Sequence, residues 1–181
     1  MPELTVDSIQ SFKMAPIVKS HDLKYGYVQM EILDETTGLR FYVHNNKLAD
    51  KPILLFPSGM VALVKTLRQA YQIYDDQVLR LAEAALAYSP AANGKWVGRE
   101  GGPAPDIQDE VIYSAVIATS KVVQIKLEVS VYNGKLYIFL KKSSWSEEDG
   151  LWRPCRGAVL LDRHQDDPNV LLQFALSAHK E

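Results

Sequence analysis

A single cysteine, Cys155, in 181 residues excludes an internal disulfide and any cysteine-based zinc cage. No run of about 18 apolar residues occurs, so no membrane-spanning helix is expected. The opening MPELTVDSIQSF lacks the basic-then-apolar order of a secretion signal. The expectation is a cytoplasmic protein of a bacterial or virus-infected cell, with nucleoid association open. A large excess of one charge is lacking too. The net charge of −2 excludes a polycation that would hold duplexes by summed phosphate neutralisation.

Catalytic constellations are also missing. His21, His44, His164 and His179 have no neighbour at metal-ligand spacing, and Asp162 with His164 reads as a helix-start cluster. Asn93-Gly94-Lys95 runs into Trp96 rather than Ser or Thr, so it is no phosphate loop. Gly98, Gly101 and Gly102 follow no strand, and Ser58-Gly59 lacks the first glycine of a nucleophile elbow. Cys155, although Arg153 and Arg156 lie near it in sequence, reads as a quiet buried thiol rather than a nucleophile. Glu147-Glu148-Asp149 and Asp166-Asp167 read as solvated turn charges. The chain is expected to be non-catalytic, with no cofactor and no metal.

What is present is enough apolar sequence for a core: 47% hydrophobic against 23% charged. Apolar and β-branched positions predict strands near Ile9–Val18, Tyr25–Leu33, Leu39–His44 and Pro52–Phe56, with a turn at Thr36-Thr37-Gly38. A helix follows from Ser58, its expected N-cap, with Val61, Leu63, Val64, Leu67, Ala70 and Tyr71 near helical spacing. The second half predicts strands near Glu110–Ala118, Val122–Val131, Lys135–Lys142 and Trp152–Leu161, then a helix over Pro168–Ala178. Between the halves lie an amphipathic helix, Gln77–Tyr88, and a Pro/Gly-rich segment to residue 108, either a linker or a flap. The reading is α+β: a ββββα unit over 1–75, a helix and linker over 76–108, and a second ββββα unit over 109–181. Each unit is an antiparallel curved sheet followed by a helix. The Lys135–Lys141 strand is apolar on both faces, which argues that the halves associate.

The segment Val129–Leu161 is the richest in signal. An Asn133-Gly134 turn, an alternating strand, an acidic loop and a return strand place two tryptophans among Lys135, Lys141, Lys142, Arg153, Arg156 and Arg163. From Lys121 to Arg163 there are eight Lys/Arg against five Asp/Glu, a local basic excess. Rings between cations on a sheet suit a single-stranded nucleic acid, whose bases stack and whose phosphates need charge. Trp145 and Trp152 serve either as stacking platforms or as hairpin-end rings that cover core. Trp96, beside Lys95 and Arg99, reads as a loop anchor. Lys141 and Lys142 must take opposite faces; Arg153 and Arg156 do so only if Pro154 leaves the strand regular. In the first half Arg40, Tyr42 and Tyr27, with His44 and Lys47 nearby, look like an exposed strand with polar side chains.

Gly134-Lys135, the alternating strand, Trp145, the acidic turn ending in Gly150, and Arg153-Pro154-x-Arg156-Gly157 before an apolar strand and helix resemble the transcriptional coactivator positive cofactor four family. That family shares its ββββα unit with the plant Whirly proteins. The resemblance covers about Val122 to Leu176; the first half shares only the order of elements. It implies two units packed as a tandem pseudo-dimer that binds single-stranded DNA through strand-borne aromatics and cations. Tyr132, Lys135, Lys141, Trp145, Arg153 and Arg156 are the positions it implicates. Lys121, Lys126, Trp152, Arg40 and Tyr42 complete the candidate set.

The function expected is binding of single-stranded DNA, with RNA as the second candidate, in replication, recombination, repair or transcription. A homo-oligomer is expected as well. The alternative is a protein-interaction or self-assembly module without nucleic acid, which the net negative charge favours.

Overall fold

The computed structural model describes residues 16–34, 38–86, 88–90, 96–98 and 109–179. Strands β1 (Ile17–Leu23), β2 (Gly26–Asp34), β3 (Gly38–Asn45) and β4 (Ile53–Leu55) form an antiparallel sheet in that order. Val28 lies opposite Val43 and Met30 opposite Phe41, so two-residue alternation sends all four into the core. The first strand expected at Ile9–Val18 falls almost wholly outside the described residues, as does most of the Thr36-Thr37 turn. β1 begins at Ile17 instead and runs through Lys19-Ser20-His21-Asp22, whose polarity hid it.

The helix expected from Ser58 and the one expected over Gln77–Tyr88 are a single element, α1 (Pro57–Leu86). The residues between them, Gln72 to Asp76, include no glycine or proline to stop a helix. Pro57 occupies the first position, where its missing N–H costs nothing, and Met60 N–H already bonds to Phe56 O. Ser58 therefore lies inside the first turn and is not the cap. Met60, Leu63, Val64, Leu67, Ala70 and Tyr71 form the buried stripe.

After a small hairpin of β5 (Tyr88–Pro90) and β6 (Trp96–Gly98), the second sheet comprises β7 (Glu110–Thr119), β8 (Val123–Tyr132), β9 (Lys135–Ser146), β10 (Leu151–Pro154) and β11 (Val159–Leu161). The rest of the 89–108 segment lies outside the described residues. Asn133 and Gly134 both take positive φ, 49° and 72°, the tight hairpin turn their sequence demands. The expected strand Trp152–Leu161 is in fact two. β10 pairs with one end of β9 and β11 with its middle, and Cys155 to Ala158 interrupt the line. Gly157 explains the break: φ is 104°, and a Cβ there would come within 2.6 Å of Lys51 O from the first half. The gap in the edge is where the β3–β4 loop docks. Asn45 Nδ2 donates to Ala158 O at 3.2 Å and to Asp50 Oδ2 at 2.9 Å.

Both sheets turn their apolar faces to α1, which packs on β3 and β4 and on β7, β8 and β9. One continuous buried cluster contains Phe41, Ile53, Leu67, Leu127, Leu140 and Leu171. Helix α2 (Pro168–Leu176) closes it. Asp167 caps that helix by accepting from Asn169 N–H, and Pro168 takes the first turn as expected.

Asp167 is exposed, but Asp166 is not a solvated turn charge. Asp166 is 3% exposed and accepts from Lys24 N–H at 3.0 Å and Asp162 N–H at 2.7 Å. The Tyr71 hydroxyl, donating at 2.5 Å to Asp166 O and 3.0 Å from Asp162 O, ties the same turn to α1; burial and then Asp166 push that phenol's pKa upward. Lys24 pairs with Asp162 at 3.1 Å and Arg163 with Asp75 at 2.8 Å. Turn 162–167 is thus a clasp holding the β1–β2 turn and α1 to the second sheet.

Two outcomes follow from these contacts. Gly157→Ala meets both the positive φ and the Lys51 carbonyl, and should lower unfolding free energy by about 1–3 kcal/mol in urea titration. The clasp makes stability acid-sensitive. Burial opposes ionisation of Asp162, but the Gln165 N–H, Lys24 and the His164 N–H outweigh it and hold its carboxyl below the ordinary value. Asp75 is held low by Arg163. Lowered folded pKa values stabilise above the unfolded carboxylate value and lose that contribution as pH falls through the folded ones. The urea midpoint should therefore drop as pH falls through about 4, and less steeply in an Asp75→Asn, Asp162→Asn variant.

Candidate functional site

The inner face of the second sheet is spoken for, so chemistry has to be sought on the outer one. On β8 the outer positions are Gln124, Lys126, Glu128, Ser130 and Tyr132; on β9 they are Lys135, Tyr137, Phe139, Lys141, Ser143 and Trp145. Register brings Lys126 opposite Lys141, Glu128 opposite Phe139 and Tyr132 opposite Lys135. β10 adds Trp152 directly across from Trp145, and β11 adds Leu160 across from Phe139.

Two ring pairs result. Trp145 and Trp152 meet edge-to-face with centroids 5.3 Å apart, and Tyr137 lies beside Phe139 at 5.7 Å. Trp145 is 38% exposed and Tyr132 56%, so rings reach solvent at both ends of the face. Lys141 bonds Glu128 at 2.7 Å and stands 5.3 Å from the Phe139 centroid. Glu128 therefore neutralises one of the amines. Gln124 Oε1 and Ser130 Oγ on the same β8 row are buried without a hydrogen-bond partner among the described residues.

The candidate residues divide accordingly. Lys126, Tyr132, Lys135, Lys141, Trp145 and Trp152 share this face. Lys121 is exposed in the β7–β8 turn at its end. Arg153 does not join them: it lies opposite Ser144 on the other face and is tied to Asp149. Arg156 sits past the end of β10, 83% exposed and 3.3 Å from Asp50 of the first half. Lys142 faces inward, as its alternation with Lys141 predicts, and lines a cavity of about 280 Å³ with Leu54, Phe56, Gly59 and Ile125.

Arg40 and Tyr42 occupy the outer face of the first sheet, opposite Glu31 and Gln29, not the face that carries the tryptophans. There Tyr27 stacks on His44 at 4.3 Å, with Gln29 Oε1 3.3 Å from His44 Nε2. Burial lowers the pKa of His44, which favours the neutral ring in that stack. Among the described residues no three His, Cys, Asp or Glu side chains converge as a metal site, and no helix is long and apolar enough to cross a membrane.

Of the aromatic residues on this face, Tyr137 and Phe139 lie outside the candidate set. The signal was available, since both share parity with Lys141. No protein-family model matches this chain, and no curated protein matches it.

The ring geometry has a direct spectroscopic readout. Two indoles 5.3 Å apart at 66° should couple as an exciton pair in circular dichroism. Trp145→Phe and Trp152→Phe should each abolish the couplet while leaving the thermal midpoint within a few degrees.

Proposed function

We propose that the chain is a non-catalytic binder of single-stranded nucleic acid, DNA foremost and RNA second, acting through the outer face of the second sheet. The observation that carries this reading is the shared row of Trp145, Trp152, Phe139, Tyr137 and Tyr132 with Lys126, Lys135 and Lys141. A flexible strand presents bases to rings and phosphates to amines, and each stacked base contributes about 1–3 kcal/mol whatever its identity. A duplex keeps the stacking faces of its bases inside, out of reach of rings, and its binding leans on phosphate neutralisation, for which a chain of net charge −2 is poorly suited. Such a protein serves replication, recombination, repair or transcription.

The crossing of elements between halves supports a tandem pseudo-dimer of ββββα units. α1, which follows the first sheet, packs on β7 and β8. The segment after the second sheet reaches back to β1, through a His21–Phe174 ring contact at 5.4 Å and a bond from Lys19 Nζ to Ser177 O at 3.3 Å. Homo-oligomers of the chain belong to the same proposal.

A second reading, a protein-interaction surface, draws on exposed Val111 and Val116 of β7, which extend the same face with apolar side chains. Oligo-dT titration separates the two. Tryptophan fluorescence should be quenched, with affinity falling steeply as salt rises. Trp145→Ala should weaken binding about 5- to 100-fold. Lys135→Ala, at an exposed amine of the same face, should reduce the slope of log affinity against log salt by about 0.7. Unchanged affinity in both variants removes the site; no quenching at micromolar protein favours the interaction surface.

A further inference from the structure

Where the two halves dock, a groove of about 520 Å³ opens beside the face just described. Its walls include Tyr25 and the β3–β4 loop from the first half, and Phe139, Leu160 and the Cys155–Ala158 break from the second. Phe139 belongs both to this groove and to the outer row, beside Tyr137. The groove therefore continues the face rather than standing apart from it. We infer that it is a subsite for one unstacked nucleobase and its flanking phosphates, entered by the strand as it leaves Phe139. This inference rests on the single-strand reading above and extends it to residues of the first half.

The chemistry of the lining fits that occupant. Tyr25 and Phe139 supply π-faces, and Leu160 and Ala158 an apolar surface. Asn46 is exposed and offers an amide that can both donate to and accept from a base edge. Its neighbour Asn45 is already committed, to Asp50, Ala158 O and Lys47 N–H. Lys47 is exposed at the rim, and Arg156 extends from the other side. Asp50, the one carboxylate among the described lining residues, has a side chain only 7% exposed and is held by Asn45 and Arg156, so it presents little free charge to a phosphate. Because the walls are fixed by docked backbone at Gly157 and Lys51, the cleft is preformed, which lowers the ordering cost of binding.

Cys155, the only cysteine, lines the groove and is half-buried. Its alkylation by iodoacetamide therefore reports occupancy directly. With oligo-dT at a concentration that saturates the tryptophan quench, the alkylation rate should fall at least fivefold. Separately, Lys47→Ala combined with Asn46→Ala, both at exposed loop positions, should lower oligo-dT affinity about three- to tenfold. The salt slope should fall by about 0.7 for the amine removed. An oligonucleotide carrying a single abasic residue at successive positions should lose affinity at one register more than at the others. Full quenching with an unprotected Cys155 and an unchanged Lys47/Asn46 variant overturns the subsite and leaves the face reading intact. An absence of quenching overturns both.

Discussion

The fold depends on burial of one helix by two sheets. α1 carries a continuous apolar stripe from Met60 to Tyr71, and neither sheet alone covers it. Leu67 and Ala70, wholly buried, are sealed because strands of both halves converge on the same helix. At about 25 cal/mol per Å² of apolar surface, this shared burial is the large stabilising contribution. The polar clasp around Asp166 and the docking at Gly157 add direction rather than bulk energy. They fix how the halves sit, and so fix what the outer faces present.

That division of labour explains the candidate site. The inner face of β8 and β9 is used up by core, through Leu127, Val129, Ile138 and Leu140. Strict alternation then leaves Lys126, Phe139, Lys141 and Trp145 on the side that neither described helix covers. An aromatic, cationic outer row is an uncommon use of exposed sheet, since Tyr137, Phe139 and the two tryptophans are costly to leave near water. The single-strand reading gives those rings an occupant, and the groove beside Phe139 opens off the middle of the row.

Much of this was legible in local pattern. The Asn133-Gly134 turn, the alternation of β8 and β9 and the opposition of Lys141 to Lys142 follow from period-two geometry and turn chemistry, and they put Lys126, Tyr132, Lys135, Lys141 and Trp145 on one face. What pattern could not supply were facts decided by distant sequence. The split between β10 and β11 is imposed by Lys51, more than a hundred residues away, and it swings Arg156 toward Asp50. Arg153 is turned away by register with Ser144. Asp166 looks like a surface acid until Lys24 and Tyr71 close over it. β1 was missed because an edge strand can be polar, and the single helix because two apolar stretches were read as two elements.

Running the core helix in one piece from the first sheet into the second has a consequence for how the assembly behaves. In a pair of separate chains, each half would find its mate by diffusion, and dilution would part them. Here a covalent tether keeps the local concentration of one half near the other high at any dilution. It also leaves the two sheets free to differ: the Tyr27–His44 stack lies on one and the Trp145–Trp152 pair on the other.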